Sequence, residues 1–237
     1  MLTLYSIPES LYCSKLRVLL RHKGLPWREV SPPGGTGSEE FRALVPAGTL
    51  PAIADGDFVL AESEAIAEYL EERFPEPPMM APDIERRARI RERSRFHDTR
   101  LEPAVRLLFP LMRAPWPDPG AVGKAARLIA RRLAEAEPLL LRKVMSTDHL
   151  CLGDCGYPAS FAWIDALALE FDIQLAWPAG VLSYRGWLAS HESVRAEQVA
   201  YTPHIEAWIN ARRAERSADA VPRRPEPAGG CLGTQSG

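Results

Sequence analysis

Ser10 opens a segment, SLYCSKLR, whose residue types suit the stabilisation of a thiolate. The segment lies where a predicted strand gives way to a predicted helix, and a helix N-terminus carries partial positive charge and free N–H groups. Lowering a thiol pKa from about 8.5 to about 6.5 requires about 3 kcal/mol, which one charge-assisted hydrogen bond and a helix terminus can supply. The plainer interpretation is that Ser10 caps the helix and that Cys13 is a small buried side chain.

Leu50-Pro51 opens another predicted strand, where proline is tolerated because no ladder hydrogen bond needs its missing N–H. A cis bond, plausible only before proline, would expose the backbone N–H and C=O of Leu50 to a ligand. An ordinary trans proline at a strand start is the alternative, and the dipeptide alone favours it.

Glu62-Ser63 follows a predicted strand and begins a predicted helix. The helix N-terminus there can accept a carboxylate, and Glu62 beside it can pair with an ammonium group. A γ-glutamyl unit offers both charges on one carbon. The alternative is that Ser63 merely caps the helix while Glu62 stabilises its dipole.

The elements that would position these residues follow the order β-α-β-α-β-β-α up to Phe74. The first half of this order supplies a parallel crossover and the second half supplies an antiparallel hairpin. Together they predict a mixed sheet with helices on both faces. Alternation and turn signals, including Asp55-Gly56, predict strands at Leu2–Ser6, Trp27–Val30, Leu50–Ile53 and Phe58–Leu60, and helices at Ser10–Lys23, Glu39–Leu44 and Glu62–Arg73.

Prolines concentrated between Pro75 and Pro82 predict a linker, and nearly everything after it is predicted to be helical. The helices are predicted at 83–113, 119–145, 158–174, 180–190 and 203–214. We expect an α/β domain at 1–75, a linker at 76–84 and an all-helical domain at 85–216. The tail at 217–237 is rich in Pro and Gly, and we expect it to be disordered.

Composition and charge argue against several classes of function. The formal net charge of −2 favours neither a nucleic-acid partner nor a membrane partner. No apolar run reaches the roughly 18 residues of a membrane span, and the N-terminus lacks the features of a signal peptide, so a cytoplasmic location is expected. Cys151 and Cys155 are a weak zinc signal without a second pair or a histidine cluster, and no metal is expected.

The three features occur together and in an order that resembles the glutathione S-transferase superfamily. LYSIPESLYCSKLRVLLRHKGL resembles the opening strand, turn and helix of that family, with a zeta- or omega-like start. VPAGTLP matches its proline motif, and LAESEAIAEYLEERFPEPP matches its glutamate-serine motif. The resemblance continues more loosely through RRARIRERSRFHDTRLEPAVRLLFP and GDCGYPAS.

The resemblance implies the cytosolic glutathione S-transferase fold, with a thioredoxin-like N-terminal domain and a helical bundle, and glutathione as co-substrate. It makes Pro51 the cis-proline and gives Leu50 a backbone pairing with the cysteinyl unit of glutathione. Glu62 and Ser63 would hold the γ-glutamyl end, and Ser10 would stabilise the thiolate. A homodimer is also implied.

A helix of the second domain is expected to face the glutathione thiol and to line an apolar pocket for a small hydrophobic electrophile. The residues predicted to line this pocket are Leu108, Phe109, Met112 and Trp116. The arginines from Arg86 to Arg95 are predicted to form a solvated helix face.

The sequence departs from the family at three positions. Leu11 replaces the proline of the opening tetrad, Tyr157 occupies a helix-capping position, and Ser160 replaces an aspartate that it is expected to mimic as a weaker cap. Ser10-x-x-Cys13 also has the frame of a glutaredoxin-like CxxC, which makes a direct catalytic role for Cys13 a secondary hypothesis.

Three functions are compatible with these residues. The leading prediction is a glutathione transferase of the conjugating type, in which the activated thiolate attacks a small electrophile. A glutathione-dependent isomerase or reductive dehalogenase is the second. A non-catalytic binding or regulatory module with the same fold, as in the stringent starvation proteins, is the third.

Overall fold

The computed structural model describes residues 1–145 and 149–219, and the predicted disordered tail lies mostly outside them. Four strands form one mixed sheet in the order β2-β1-β3-β4. Strand β1 pairs parallel with β2 and antiparallel with β3, and β4 completes an antiparallel hairpin with β3. The strands are β1 (Leu2–Tyr5), β2 (Trp27–Val30), β3 (Ala52–Asp55) and β4 (Phe58–Ala61).

Three helices accompany the sheet, namely α1 (Leu11–His22), α2 (Glu39–Leu44) and α3 (Ser63–Arg73). Helix α1 buries Leu16, Leu19 and Leu20, the apolar face that its sequence spacing predicts. The predicted order of elements and the mixed sheet are confirmed.

The rest of the described chain is helical. It contains α4 (Ile84–Phe96), a π-helical turn (His97–Leu101), α5 (Glu102–Arg106), a 3-10 turn (Pro110–Arg113), α6 (Pro119–Leu140), a 3-10 turn (Leu152–Asp154), α7 (Tyr157–Glu170), α8 (Ala179–Ser190) and α9 (Glu192–Asp219). The predicted fold class, a thioredoxin-like sheet part followed by a helical part, is therefore confirmed.

The prediction of a single helix at 83–113 was wrong, because the structure has four separate helical elements in this region. Pro103 lies in the first turn of α5 and Pro110 begins the 3-10 turn. Proline lacks the N–H that a continuing helix needs, and its ring clashes with the preceding turn. The π-helical turn adds a further change of register before α5.

The start predicted for the last helix, at 203, was also wrong. Helix α9 begins at Glu192 and contains Pro203 in its interior. Its buried face includes Val194, Tyr201 and Ile205. Packing of this face stabilises the helix although Pro203 has no N–H to donate to the preceding turn.

Helix α1 joins the two parts of the molecule. It packs against α3 on the sheet side and against α7 and α9 on the helical side. One continuous hydrophobic core includes residues from both parts, such as Leu19 of α1 and Trp163 of α7. Within the described residues, no helix combines the length and apolar composition needed to cross a bilayer.

Candidate functional site

Ser10 lies at the point where the chain enters α1, in an extended backbone conformation. Its Oγ accepts a hydrogen bond from the backbone N–H of Cys13 at 3.3 Å, so Ser10 is the N-cap of the helix. The hydroxyl retains its own hydrogen as a donor, and the side chain is half-buried at the wall of a cavity. Capping and donation to a ligand are therefore compatible roles for this residue.

Cys13 does not fit the direct catalytic role that its CxxC-like frame suggested. Its side chain is 0% exposed and belongs to the core. Burial raises the pKa of the thiol, and this outweighs the hydrogen bond from Ser10 and the charge of Arg17. A buried, protonated thiol is a poor nucleophile.

Leu50 and Pro51 line a cleft of about 710 Å³ together with Glu62 and Ser63. The Leu50-Pro51 peptide bond is cis, as the resemblance predicts. The structure thus brings together four of the residues that the sequence analysis assigned to glutathione.

Glu62 precedes α3 with a φ of +70°, a left-handed backbone conformation that residues other than glycine rarely adopt. Such conformations concentrate at ligand sites, where surrounding structure holds them in place. Ser63 is the first residue of α3 and is mostly buried. The free N–H groups at this helix start adjoin the cleft and suit a carboxylate.

A buried ion cluster supports the wall of this cleft. The ammonium of Lys15 is 1% exposed and donates to Glu64 at 2.6 Å and to Asp98 at 2.8 Å. Ser94 also donates a hydrogen bond to Glu64. Burial by itself lowers the pKa of Lys15, but the charges of Asp98 and Glu64 raise it above its ordinary value. The cluster links α1, α3, α4 and the π-helical turn.

Glu64 and Asp98 also line the cleft, and so does Glu102. With Glu62, they place four carboxylates around a site that has an anion-binding helix start at one edge. An ammonium group and a carboxylate on the same ligand would both find partners here.

A second cavity of about 490 Å³ adjoins Ser10. Its aromatic lining is formed by Phe109, Trp163 and Trp208, whose ring centroids lie 4.8–5.3 Å apart. Arg106 lines both this cavity and the cleft, so the two meet at its side chain. A polar cleft and an aromatic cavity that share a boundary are suited to two different ligands.

Arg106 is held at this boundary by neighbours from both sides. Its guanidinium pairs with the buried carboxylate of Glu102 and lies 5.4 Å from the ring centroid of Phe109. Glu102 in turn accepts a hydrogen bond from the hydroxyl of Tyr12 at 3.2 Å. The sequence analysis missed Arg106, although its position four residues after Glu102 is a signal for an ion pair on a helix.

Of the four residues predicted for the second-substrate pocket, only Phe109 lines the aromatic cavity. Leu108 and Met112 are buried in the core, and Trp116 is 83% exposed and lines neither cavity. The prediction assumed one unbroken helix through this region, whereas the structure divides the chain there into shorter helices and turns.

Residues 4–78 match the family profile described as "Glutathione S-transferase, N-terminal domain". "Glutathione S-transferase 3" of Zea mays is 30% identical over 241 residues, which cover 96% of this chain and 97% of the maize protein. The chain belongs to the glutathione S-transferase family.

Two further comparisons describe the breadth of this family. A "Stringent starvation protein A homolog" of Pasteurella multocida is 42% identical over 79 residues, 33% of this chain, and the chain spans only 37% of that protein's length. A theta-class glutathione S-transferase of Xanthomonas axonopodis pv. citri, solved with glutathione bound, superposes with a TM-score of 0.67. It is 20% identical and the match covers 83% of this chain and 96% of that one, so it shows the shared fold alone.

Departures from the family motif in the helical part have structural consequences. Ser160 does not cap α7, contrary to expectation: it is buried, and its hydroxyl pairs with Nε2 of His97 at 2.8 Å. Tyr157 is the first residue of α7 and donates a hydrogen bond to the backbone C=O of Arg93 at 3.0 Å. These contacts attach α7 to α4 and the π-helical turn behind the cleft.

Arg93 contradicts the prediction that the arginines of α4 form a solvated face. It is 3% exposed and pairs with Asp154 at 2.6 Å. Asp154 also accepts a hydrogen bond from the hydroxyl of Tyr184 at 2.6 Å, which satisfies the buried carboxylate. Burial by itself lowers the pKa of Arg93, but the negative charge of Asp154 outweighs it and raises the pKa above its ordinary value.

Cys151 and Cys155 are buried thiols, and burial raises the pKa of both. Among the described residues, no group of three or more His, Cys, Asp or Glu side chains is arranged to hold a metal ion.

Proposed function

We propose that the protein binds glutathione in the cleft at Leu50-Pro51, activates its thiol at Ser10 and transfers it to a small electrophile in the aromatic cavity. One observation carries the proposal: the cleft with the cis Leu50-Pro51 bond and the α3 N-terminus meets, at Arg106, the aromatic cavity that holds Ser10. A peptide that lies in the cleft can therefore direct its sulfur toward the second substrate.

The cleft offers partners for the cysteinyl and γ-glutamyl units of glutathione. The backbone N–H and C=O of Leu50 suit the cysteinyl unit, since a strand can pair with an extended peptide. The free N–H groups at Ser63 suit the γ-glutamyl carboxylate. The carboxylate of Glu62 suits the γ-glutamyl ammonium, with Glu64 and Asp98 adding negative charge nearby.

Ser10 would act by donating its hydroxyl hydrogen to the bound sulfur. A charge-assisted hydrogen bond of this kind favours the thiolate, and the N-terminus of α1 adds positive potential. The thiol proton passes to solvent, the sulfur forms a bond to the electrophilic carbon, and the leaving group departs with its electron pair. Holding both reactants in adjoining cavities supplies the remaining rate advantage.

Retention on immobilised glutathione and turnover of 1-chloro-2,4-dinitrobenzene test the proposal together. We expect the wild-type protein to be retained, to elute with free glutathione and to turn over the aryl halide. Ser63→Ala would leave the helix N–H groups in place, whereas Glu62→Gln would remove the charge offered to the ammonium, so we expect Glu62→Gln to weaken retention more. Equal and full retention of both variants would argue against this binding mode.

A binding module without catalysis is the second candidate, and the similarity to stringent starvation protein A homologs favours it. This function requires no glutathione, so a protein that neither binds the resin nor turns over the aryl halide would support it. Isomerisation and reductive dehalogenation would start from the same bound thiolate. A cis-enone and a halogenated hydroquinone, assayed beside the aryl halide, would distinguish them.

We also propose that the protein forms a two-fold homodimer, as the family resemblance implies. Phe58, in the β3–β4 hairpin, is 48% exposed, and its ring lies tilted against that of Tyr69 with the centroids 5.0 Å apart. Sedimentation equilibrium is expected to give twice the mass of 26.3 kDa.

A further inference from the structure

Two charged side chains in the cavity beside Ser10 have no charged or hydrogen-bonding partner among the residues that the structure describes. Arg113, at the end of the 3-10 turn, and Glu9, directly before Ser10, both line this cavity. Among the described residues, neither side chain has an ion-pair or hydrogen-bond partner. Arg106, the other cation of the cavity, is already neutralised by Glu102. Arg113 is therefore the cation available to a ligand.

The two unpaired charges occupy different elements of the cavity wall. Glu9 belongs to the turn that holds Ser10, and Arg113 ends the 3-10 turn that directly follows Phe109 of the aromatic lining. A negatively charged substituent is repelled by Glu9 and by the glutathione thiolate next to Ser10. The same substituent is attracted to Arg113, whose guanidinium can bind a carboxylate through two parallel N–H groups.

We propose that the electrophile of this protein is an aromatic or other apolar compound that carries an anionic group, a carboxylate or sulfonate, and that Arg113 binds that group. The apolar body packs on Phe109, Trp163 and Trp208, while the reacting carbon lies toward Ser10. Arg113 is then a specificity-determining residue for the second substrate. The proposal rests on the proposed function, because it presumes that the cavity takes the second substrate.

The test compares two substrates that differ in charge at one substituent. 4-Chloro-3-nitrobenzoate is anionic and 4-chloro-3-nitrobenzamide is neutral and similar in shape. In both, glutathione sulfur forms a C–S bond at the carbon that carries chlorine, the C–Cl bond breaks, and chloride leaves with the bonding pair while the thiol proton goes to solvent. Each kcat/KM is divided by the uncatalysed rate constant with glutathione, which removes the difference in intrinsic reactivity.

The measured quantity is the ratio of these normalised kcat/KM values, benzoate over benzamide. We expect a ratio above one for the wild type and a fall of about fivefold in Arg113→Gln, the upper range for an exposed ion pair. The change should reside mainly in KM and shrink in 0.5 M NaCl, since salt screens an exposed charge. Glu9→Gln should raise the ratio. Arg131→Gln is the matched control, because Arg131 is exposed on α6 and lines neither cavity.

Equilibrium binding separates a failure of this proposal from a failure of the proposed function. Titration calorimetry in the presence of S-methylglutathione compares 3-nitrobenzoate with 3-nitrobenzamide. One outcome is that turnover is absent, while 3-nitrobenzoate binds more tightly than 3-nitrobenzamide to the wild type but not to Arg113→Gln. This outcome would support the anion site and contradict the transferase function. A ratio that stays within twofold of the wild type in Arg113→Gln, or no binding of either ligand, would overturn the anion site.

Discussion

At the scale of single residues, Asp98 shows how the cleft uses buried charge. Burial by itself raises the pKa of Asp98, but the hydrogen bond from His97 and the ammonium of Lys15 hold it at about 2. The folded-state pKa lies below the unfolded value of about 4, so ionised Asp98 stabilises the fold above about pH 4. This contribution is lost as the pH falls through about 2.

The expected size of this effect is about 2 kcal/mol, from a shift of nearly two pKa units. Urea denaturation at several pH values from 5 to 2 measures the free energy of unfolding, and this contribution should form part of its decrease as the pH falls. In Asp98→Asn the free energy of unfolding should fall by about 2 kcal/mol less between pH 5 and pH 2 than in the wild type. The variant should nevertheless be less stable than the wild type at pH 7. Asp57→Asn, in the exposed β3–β4 hairpin, is the control for removal of one carboxylate. An unchanged acid slope in Asp98→Asn would contradict the assignment.

The residues that sequence alone identified share one property: their neighbours along the chain determine their position. Ser10 lies at a helix start beside a strand end, and Ser63 does so again, so local signals were enough. Leu50-Pro51 was ambiguous by itself, and its placement in one cleft with Glu62 and Ser63 required the fold. Arg93 was misjudged, since no local pattern reveals that Asp154, 61 residues away, buries it.

At the scale of elements, the ion cluster at Lys15 fixes the position of three helices relative to one another. Lys15 of α1 contacts Glu64 of α3, Ser94 of α4 and Asp98 of the π-helical turn. Removing the ammonium leaves two carboxylates in a mostly buried site without their counter-charge. Breaking a buried ion pair in this way costs about 3–5 kcal/mol.

Lys15→Met should therefore lower the free energy of unfolding by several kcal/mol and weaken glutathione binding, because Glu64 and Asp98 line the cleft. Arg91→Met is the matched control: Arg91 pairs with Glu68 at 2.7 Å, but both side chains are well exposed. An exposed pair contributes less than about 1 kcal/mol. Urea denaturation and calorimetric binding measure the two effects. Equal losses in the two variants would contradict the role given to the cluster.

The aromatic cavity shows how an unforeseen change of helix register limited the prediction made from the sequence. Leu108 and Met112 were expected in the pocket together with Phe109, whereas the structure buries both in the core and places Arg113 in the cavity beside Phe109. A π-helical turn accommodates one extra residue, and one residue rotates an α-helical face by about 100°. Pro103 and Pro110 indicate the break in the sequence, but the turn at His97–Leu101 carries no local signal that we recognise.

At the scale of the whole molecule, the sheet part and the helical part should unfold together. Helix α1 is packed between them and the hydrophobic core is continuous across the boundary. The domain limits at 1–75 and 85–216 therefore stay predictions about chain organisation, and we do not expect separate stability for the two parts.

Urea denaturation monitored by two probes checks this expectation. Far-ultraviolet circular dichroism reports mostly the helical part, while Trp27 fluorescence, in a variant with the other tryptophans replaced by phenylalanine, reports the sheet part. We expect coincident transitions with one midpoint, as for a two-state protein. Two separated midpoints would show that the parts unfold independently.

Ser10 stabilises the thiolate of bound glutathione in the proposed mechanism, and the pKa of that thiol measures this role. Thiolate absorbance near 240 nm, titrated against pH with saturating glutathione, should give a wild-type pKa about two units below the solution value. Ser10→Ala should bind glutathione yet raise that pKa by one to two units, as expected for a lost charge-assisted hydrogen bond. Ser38→Ala removes an equivalent N-cap from α2, where Ser38 Oγ accepts from Phe41 N–H at 3.0 Å, and should leave the thiol pKa unchanged. A bound thiol that titrates alike in the wild type and in Ser10→Ala would contradict the account.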